Sequence, residues 1–361
     1  MLIYYSMIVW IAFMYLIYKM IALMGMRKKV PLLLAILTMG YIIFWVGIRE
    51  GIYDTAAYIM IFRGSSSKLG DILSAKSINA KSPGFAVFNI LFKRFISQDY
   101  HVWLMFIALV TGLCIVLVLQ KYSVDFFYSM ILFMLTLNFT WMLNGMRQFL
   151  VASIMFLCSR WIVEKKWIRY LIIVLLLSTI HYSVLIMIPV YWVVQGKPWN
   201  KKTMLFICMI LVCSCFVGTF SRGLDVILEN TAYSGVVSQF ASDDGVNPIR
   251  VLVMCVPVVL SLLKRRQIEQ IDNKYMYMCV NMSIVTAGLY FLGVFTSGIL
   301  MGRLPIYFEL YNLILIPFLI KNCFNNGIRQ IMYLLCTLGY LFYFYLQGGN
   351  LIYASFITGW I

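Results

Sequence analysis

Four arginines, one histidine and two acids stand out in this chain because they end or interrupt long apolar runs. They are Arg49, Arg147, Arg250, Arg303, His181, Asp54 and Glu309. Guanidinium groups stay charged and grip phosphate oxygens two at a time, which suits an anionic ligand or a diphosphate leaving group. An ionisable group inside or at the edge of a membrane run is a functional candidate by default. Each has an ordinary reading as well. A single Arg at a helix end snorkels to headgroups, Asp54 caps or neutralises near Arg49, and a lone His at a turn is held for structure. The whole set is harder to explain that way, so the elements that would carry it come next.

The 361 residues are 63% hydrophobic and 12% charged. Such a chain cannot make a soluble surface. Apolar runs of about twenty residues recur along its length and fit membrane helices, not the roughly ten-residue alternation of a barrel. The expectation is an all-α integral membrane protein: a polytopic helical bundle of roughly twelve segments, from 2–24 to 329–347. One membrane domain, 1–361, is the simplest division. The first run lacks a basic stretch before it or a cleavage-like site after it, and reads as a retained span. Most of the nine cysteines fall inside apolar runs and read as buried small hydrophobes.

His181 decides the topology. It interrupts the apolar stretch 168–194, which lies between Lys165-Lys166 and Lys201-Lys202. Basic connections stay inside, so the stretch must cross twice or not at all, and it reads as a broken hairpin with segments 168–181 and 182–195. Counted so, six basic connections fall on one side. Two long loops, about 49–100 and 221–248, fall outside, as do both termini. Pro83-Gly84-Phe85 opens an amphipathic or re-entrant helix within the first loop. Six of the candidates gather at the outer face, and Glu309 lies inside a span about two turns beyond Arg303. The net charge of +16 reflects inward loops facing anionic lipid rather than nucleic acid. No P-loop, nucleotide fingerprint or zinc motif occurs, and neither cofactor nor metal is expected.

The order of short motifs resembles a known family. Arg49-Glu50-Gly51-Ile52-Tyr53-Asp54 with Tyr58 and Phe62, Pro83-Gly84-Phe85, Asn144-Gly145-Met146-Arg147-Gln148, Thr179-Ile180-His181-Tyr182-Ser183, and Gly302-Arg303 with Tyr307 resemble the EpsG/Wzy-like polysaccharide polymerases over essentially the full length. The resemblance implies an enzyme at the outer face of the bacterial cytoplasmic membrane. It would join undecaprenyl-diphosphate-linked oligosaccharide repeats into capsule, exopolysaccharide or O-antigen. It also suggests a relationship to GT-C glycosyltransferases, and partners such as a flippase and a chain-length regulator.

One departure stands out: many relatives carry a Glu immediately before the Pro-Gly-aromatic element, where this chain has Ser82. In that reaction Arg147 and Arg303 would stabilise the departing diphosphate, helped by Arg49 or Arg250. His181, or else Asp54, would take the hydroxyl proton. Tyr58 is a candidate for sugar stacking, and Glu309 would orient Arg303 or serve as a second acid. A ligase moving finished polymer and a lipid-linked oligosaccharide flippase are the alternatives, though no repeat or midplane polar set favours a transporter.

Overall fold

The computed structural model describes residues 1–23, 29–72, 82–216, 245–296, 298, 301–357 and 359–360. Their regular structure is helical apart from a short antiparallel pairing of Ala354–Ser355 with Gly359–Trp360, and a single bridge from Arg49 to Ser355. The first helices are α1 (Leu2–Leu23), α2 (Leu32–Gly47), α3 (Thr55–Gly64), α4 (Pro83–Phe95), α5 (Tyr100–Tyr122), α6 (Phe126–Leu135), α7 (Met146–Leu157), α8 (Arg160–Val163) and α9 (Trp167–Ser178). The rest are α10 (Met187–Val193), α11 (Lys201–Cys215), α12 (Pro248–Leu263), α13 (Arg265–Ile271), α14 (Lys274–Val294), α15 (Ile306–Glu309), α16 (Asn312–Cys323) and α17 (Asn326–Gly348). Local chemistry sets many boundaries. Asp99, Asp125, Asn200, Asn247 and Asn273 accept backbone N–H groups at the starts of α5, α6, α11, α12 and α14. Pro83 and Pro248 open α4 and α12, where a missing N–H costs nothing.

The chain is a helical integral membrane protein, and the expected twelve or so segments are represented by full-length spans in only some places. Among the described residues four helices, α1, α5, α14 and α17, are long and apolar enough to cross a membrane. A fifth appears if the turn at Met301, α15 and α16, bent by 52°, form one broken span. The other apolar stretches are helices of 10–17 residues. At 1.5 Å per residue they reach about 15–26 Å, short of a ~30 Å hydrocarbon core. Apolar length in the sequence included the turns that interrupt them. The break foreseen at His181 is present: α9 ends at Ser178, residues 179–181 are irregular, and a 3-10 turn over Tyr182–Ile186 precedes α10.

The described chain divides into two compact units, residues 1–159, 167–185 and 330–361 in one and 160–166 with 186–329 in the other. In the first unit α2 packs on α5 through small residues. A Cβ on Gly47 would come within 3.0 Å of the Met105 Cα, and one on Gly112 within 2.5 Å of Ile43 Cγ1.

Hydrogen bonds sort the helix termini of this unit into two ends. At one end Tyr4 donates to the Ile352 carbonyl, Tyr353 to that of Trp45, and Tyr100 to the Glu50 carboxylate. The chain therefore leaves α2 and enters α5 at the same end. The intervening α3 and α4 do not invert the bundle. At the opposite end Gln120 donates to the Val30 carbonyl, and Tyr333 to Asp125.

The second unit also has two unlike ends. Lys197 and Val194 carbonyls meet Asn281, Trp199 meets Ser261, and Lys264 lies over Phe324, so its basic connections share one end. At the other end Val246 donates to the Gly293 carbonyl, and Arg250 lies over Tyr290. Most of the expected outer loop 221–248 lies outside the described residues, as do Tyr233, Phe240 and Ser297.

These ends give a direct test of sidedness. Lys68 and Lys121, both exposed, lie at opposite ends of the first unit. In a background with the native cysteines replaced, Lys68→Cys and Lys121→Cys are expected to react with an impermeant maleimide from opposite faces of the membrane. Labelling of both from one face would refute the arrangement.

Candidate functional site

The start of α7 is where four of the sequence motifs meet. Gly145 precedes the helix with φ +77, a conformation that glycine adopts without strain. Four consecutive residues then reach three other segments. The Gly145 N–H donates to Asp54 Oδ2 at 2.6 Å. The Met146 sulfur accepts Arg49 Nη2 at 3.0 Å. Arg147 Nη1 donates to Ser82 Oγ at 2.8 Å, and Gln148 Nε2 to Ser183 Oγ at 3.2 Å.

Arg147 is half-buried in an aromatic clamp. Its guanidinium carbon lies 5.3 Å from the Tyr58 ring centre and 5.2 Å from that of Phe85, and its Nε makes a long 3.4 Å contact to the Tyr58 hydroxyl. Cation–π contacts of this kind orient a guanidinium without neutralising it. Among the described residues no acidic side chain pairs with Arg147. Tyr58, only 8% exposed, thus holds Arg147 as well as bordering the site.

Arg49 has a different place. It is 1% exposed, and its donors go to Thr55 Oγ1 (2.9 Å), the Val46 carbonyl (2.7 Å) and Met146. Burial lowers its pKa to about 10, with Asp54 and Tyr353 pulling the other way. A guanidinium so enclosed stays protonated at neutral pH and ties the loop after α2 to α7. Asp54 stands at the N-cap position of α3 yet makes no side-chain cap there; its carboxylate is turned to Gly145.

His181 sits in the irregular segment after α9. Its Nδ1 lies 2.8 Å from Ser183 Oγ, and its ring stacks on Tyr182 at 5.5 Å. The segment is fixed by α4, whose Gly84 N–H donates to the Thr179 carbonyl at 2.9 Å. No larger residue fits at Gly84, because an added Cβ would meet the Thr179 Cβ at 2.8 Å and its backbone carbon at 3.1 Å. Phe85, Tyr58, Phe62, Trp103 and Met146 form the buried cluster beneath, with Ile180 packed against it. Arg49, Asp54, Tyr58, Arg147 and His181 are therefore brought into one neighbourhood of the first unit.

Arg250, Arg303 and Glu309 belong to the second unit. Glu309 is 1% exposed and accepts a 2.8 Å hydrogen bond from the Tyr290 hydroxyl, and Arg250 lies 5.4 Å over the same ring. Gly302 and Arg303 form the 3-10 turn before α15, where a Cβ on Gly302 would touch Val246. Tyr290 was not singled out from sequence, since a Tyr within an apolar helix carries no local signal. Ser82, Gln148 and Ser183 were also missed as partners, although they neighbour motif residues. Among the described residues no group of His, Cys, Asp and Glu could hold a metal.

A model of the EpsG family matches residues 32–353, a range that contains every motif residue above. No curated protein and no solved structure matches the chain.

The close approach at Gly84 should be costly to fill. Gly84→Ala is expected to lower the stability of the detergent-solubilised protein by about 1–3 kcal/mol, as overpacking does. Gly64→Ala, with nothing within 4 Å of the new Cβ, should leave it unchanged. Thermal unfolding of the two variants side by side checks this, and equal melting would show that α4 is not seated on Thr179.

Proposed function

The chain belongs to the EpsG family, and on that premise we propose that it is a membrane-integrated glycosyltransferase, a polysaccharide polymerase. Its substrates would be oligosaccharide repeats carried on undecaprenyl diphosphate, joined at the outer face of the cytoplasmic membrane. The observation that carries the reading is the junction at the start of α7: a clamped arginine, unpaired with any described acid, held beside a histidine-bearing break. A substrate that supplies the missing negative charge is a phosphate ester, and a membrane location makes it a lipid-linked one.

In the proposed reaction a hydroxyl of the incoming repeat attacks the anomeric carbon of the growing chain. The new C–O bond forms as the bond to diphosphate breaks, and the electron pair leaves with undecaprenyl diphosphate. Arg147 faces that leaving group, whose charge needs stabilising more than protonating. Arg49 acts through Met146 and is a positioning residue. In the second unit Tyr290 lies beneath Arg250 and donates to Glu309, and Arg250 and Arg303 are candidates for binding the anionic substrate there.

The role of His181 turns on one hydroxyl proton. When Nδ1–H donates to Ser183, Nε2 presents a lone pair and can accept the attacking hydroxyl's proton; when Ser183 donates to Nδ1, Nε2–H is a donor to a sugar or phosphate oxygen. We assign the base to the first arrangement, with Asp54 left to hold Gly145 and orient sugar hydroxyls.

Purified protein reconstituted with a lipid-linked repeat unit should produce a polymer ladder. Transfer only to a foreign acceptor would indicate a ligase, and movement across the bilayer without transfer a flippase. Arg147→Ala is expected to reduce turnover by about 10²–10³-fold, as loss of a transition-state charge partner does. His181→Gln should cost about 10²–10⁴-fold in turnover. Near-normal ladders from His181→Gln would shift the base to Asp54.

A further inference from the structure

The basic end of the second unit contains a cavity of about 300 Å³ that the polymerase reading does not use. It lies at the end opposite Arg250 and Tyr290. Lys165, Lys197 and Lys274 line it, from the α8–α9 connection, the α10–α11 connection and the first residue of α14. Tight backbone turns bring them together, with φ +56 at Lys165, +103 at Gly196 and +49 at Asp272. Asp272 is the acid in the lining, and it accepts a 3.1 Å hydrogen bond from the Tyr277 hydroxyl. Among the described residues none of the three lysines forms an ion pair with an acid. Ile162, Val163, Val194 and Met278 add an apolar part to the wall, beside Gln195 and Tyr277.

Three lysines against one aspartate give the lining an excess of positive charge that an anion would offset, and a hollow of this size admits a headgroup rather than an oligosaccharide. The apolar wall beside them suits a hydrocarbon tail. From this pairing we infer that the cavity binds the phosphate headgroup of an anionic membrane lipid, separately from the candidate catalytic site. Basic pockets between membrane helices take such headgroups, each cation adding to the attraction.

The test is native mass spectrometry of the detergent-solubilised full chain titrated with phosphatidylglycerol, phosphatidylcholine or inorganic phosphate. Wild-type protein should retain one phosphatidylglycerol in preference to phosphatidylcholine. The variant Lys165→Gln, Lys197→Gln, Lys274→Gln should bind it at least about tenfold more weakly. The control Lys201→Gln, Lys202→Gln, Lys264→Gln removes three lysines outside this cavity and should change binding less than about threefold. The charge reversal Lys274→Glu alone should reproduce most of the loss, and size-exclusion profiles of all variants should match wild type. Equal loss in both triple variants would mean diffuse surface attraction, and absence of lipid preference would mean no site; either overturns the inference. Displacement of the lipid by inorganic phosphate at equal concentration would assign the cavity to a soluble phosphate and also overturn it.

Discussion

The start of α7 is the constraint on which the candidate site depends. A helix N-terminus presents four backbone N–H groups without intrahelical partners, and here one residue before the helix already directs its N–H to a carboxylate 91 positions earlier. The next three side chains then point to Arg49, Ser82 and Ser183 because successive residues of a helix are turned about 100° apart. One rigid element thereby sets the spacing of the loop that carries Arg49 and Asp54, the residue before α4, and the break after α9. Rigid support of this kind matters for transfer chemistry, in which misplacement by an ångström is costly in rate.

The seating of α4 on the break after α9 is the second half of the same arrangement. Gly84 lets the two backbones touch, and Pro83 starts the helix at that contact. Beneath it the stacked rings of Phe62 and Trp103, 4.7 Å apart, and the bond from Trp103 to Asn89 give the loop between α2 and α5 a core of its own. The polar residues above sit on a buried aromatic layer, not on free loops. This explains how a stretch without a full-length span contributes to the site.

Much of this was legible in the residues, for reasons that differ from place to place. Helical membrane class followed from apolar run length, and the break at His181 followed from charge on either side of it. The pairing of termini within each unit agrees with the charge pattern: Gln120 meets Val30 and Tyr333 meets Asp125 at one end, away from Arg147. Span number was not legible, because apolar runs such as 125–143 contain a turn at Leu137 that hydropathy does not see. Nor was the burial of Arg49. An arginine after a helix reads as a surface group, and its acceptors, a carbonyl, a hydroxyl and a thioether, are set only by tertiary packing. Tyr58 was foreseen as a sugar platform; its ring faces Arg147, a choice that sequence spacing does not encode.

Ser82 stands where the resemblance led to the expectation of a Glu, and its contact with Arg147 gives that difference a physical consequence. A Glu at this position would meet Arg147 directly, and an enclosed ion pair would spend the arginine's charge on a neighbouring carboxylate. The serine hydroxyl instead accepts one guanidinium N–H at 2.8 Å and leaves the net charge in place. Tyr58 and Phe85 supply orientation through their ring faces, again without cancelling it. A site built this way has a fixed cation that no described acid pairs with, the Asp54 carboxylate being turned to the Gly145 N–H. On the proposed polymerase reading, Arg147 would stabilise the departing diphosphate, and His181, on the segment that Gln148 holds through Ser183, would take the hydroxyl proton.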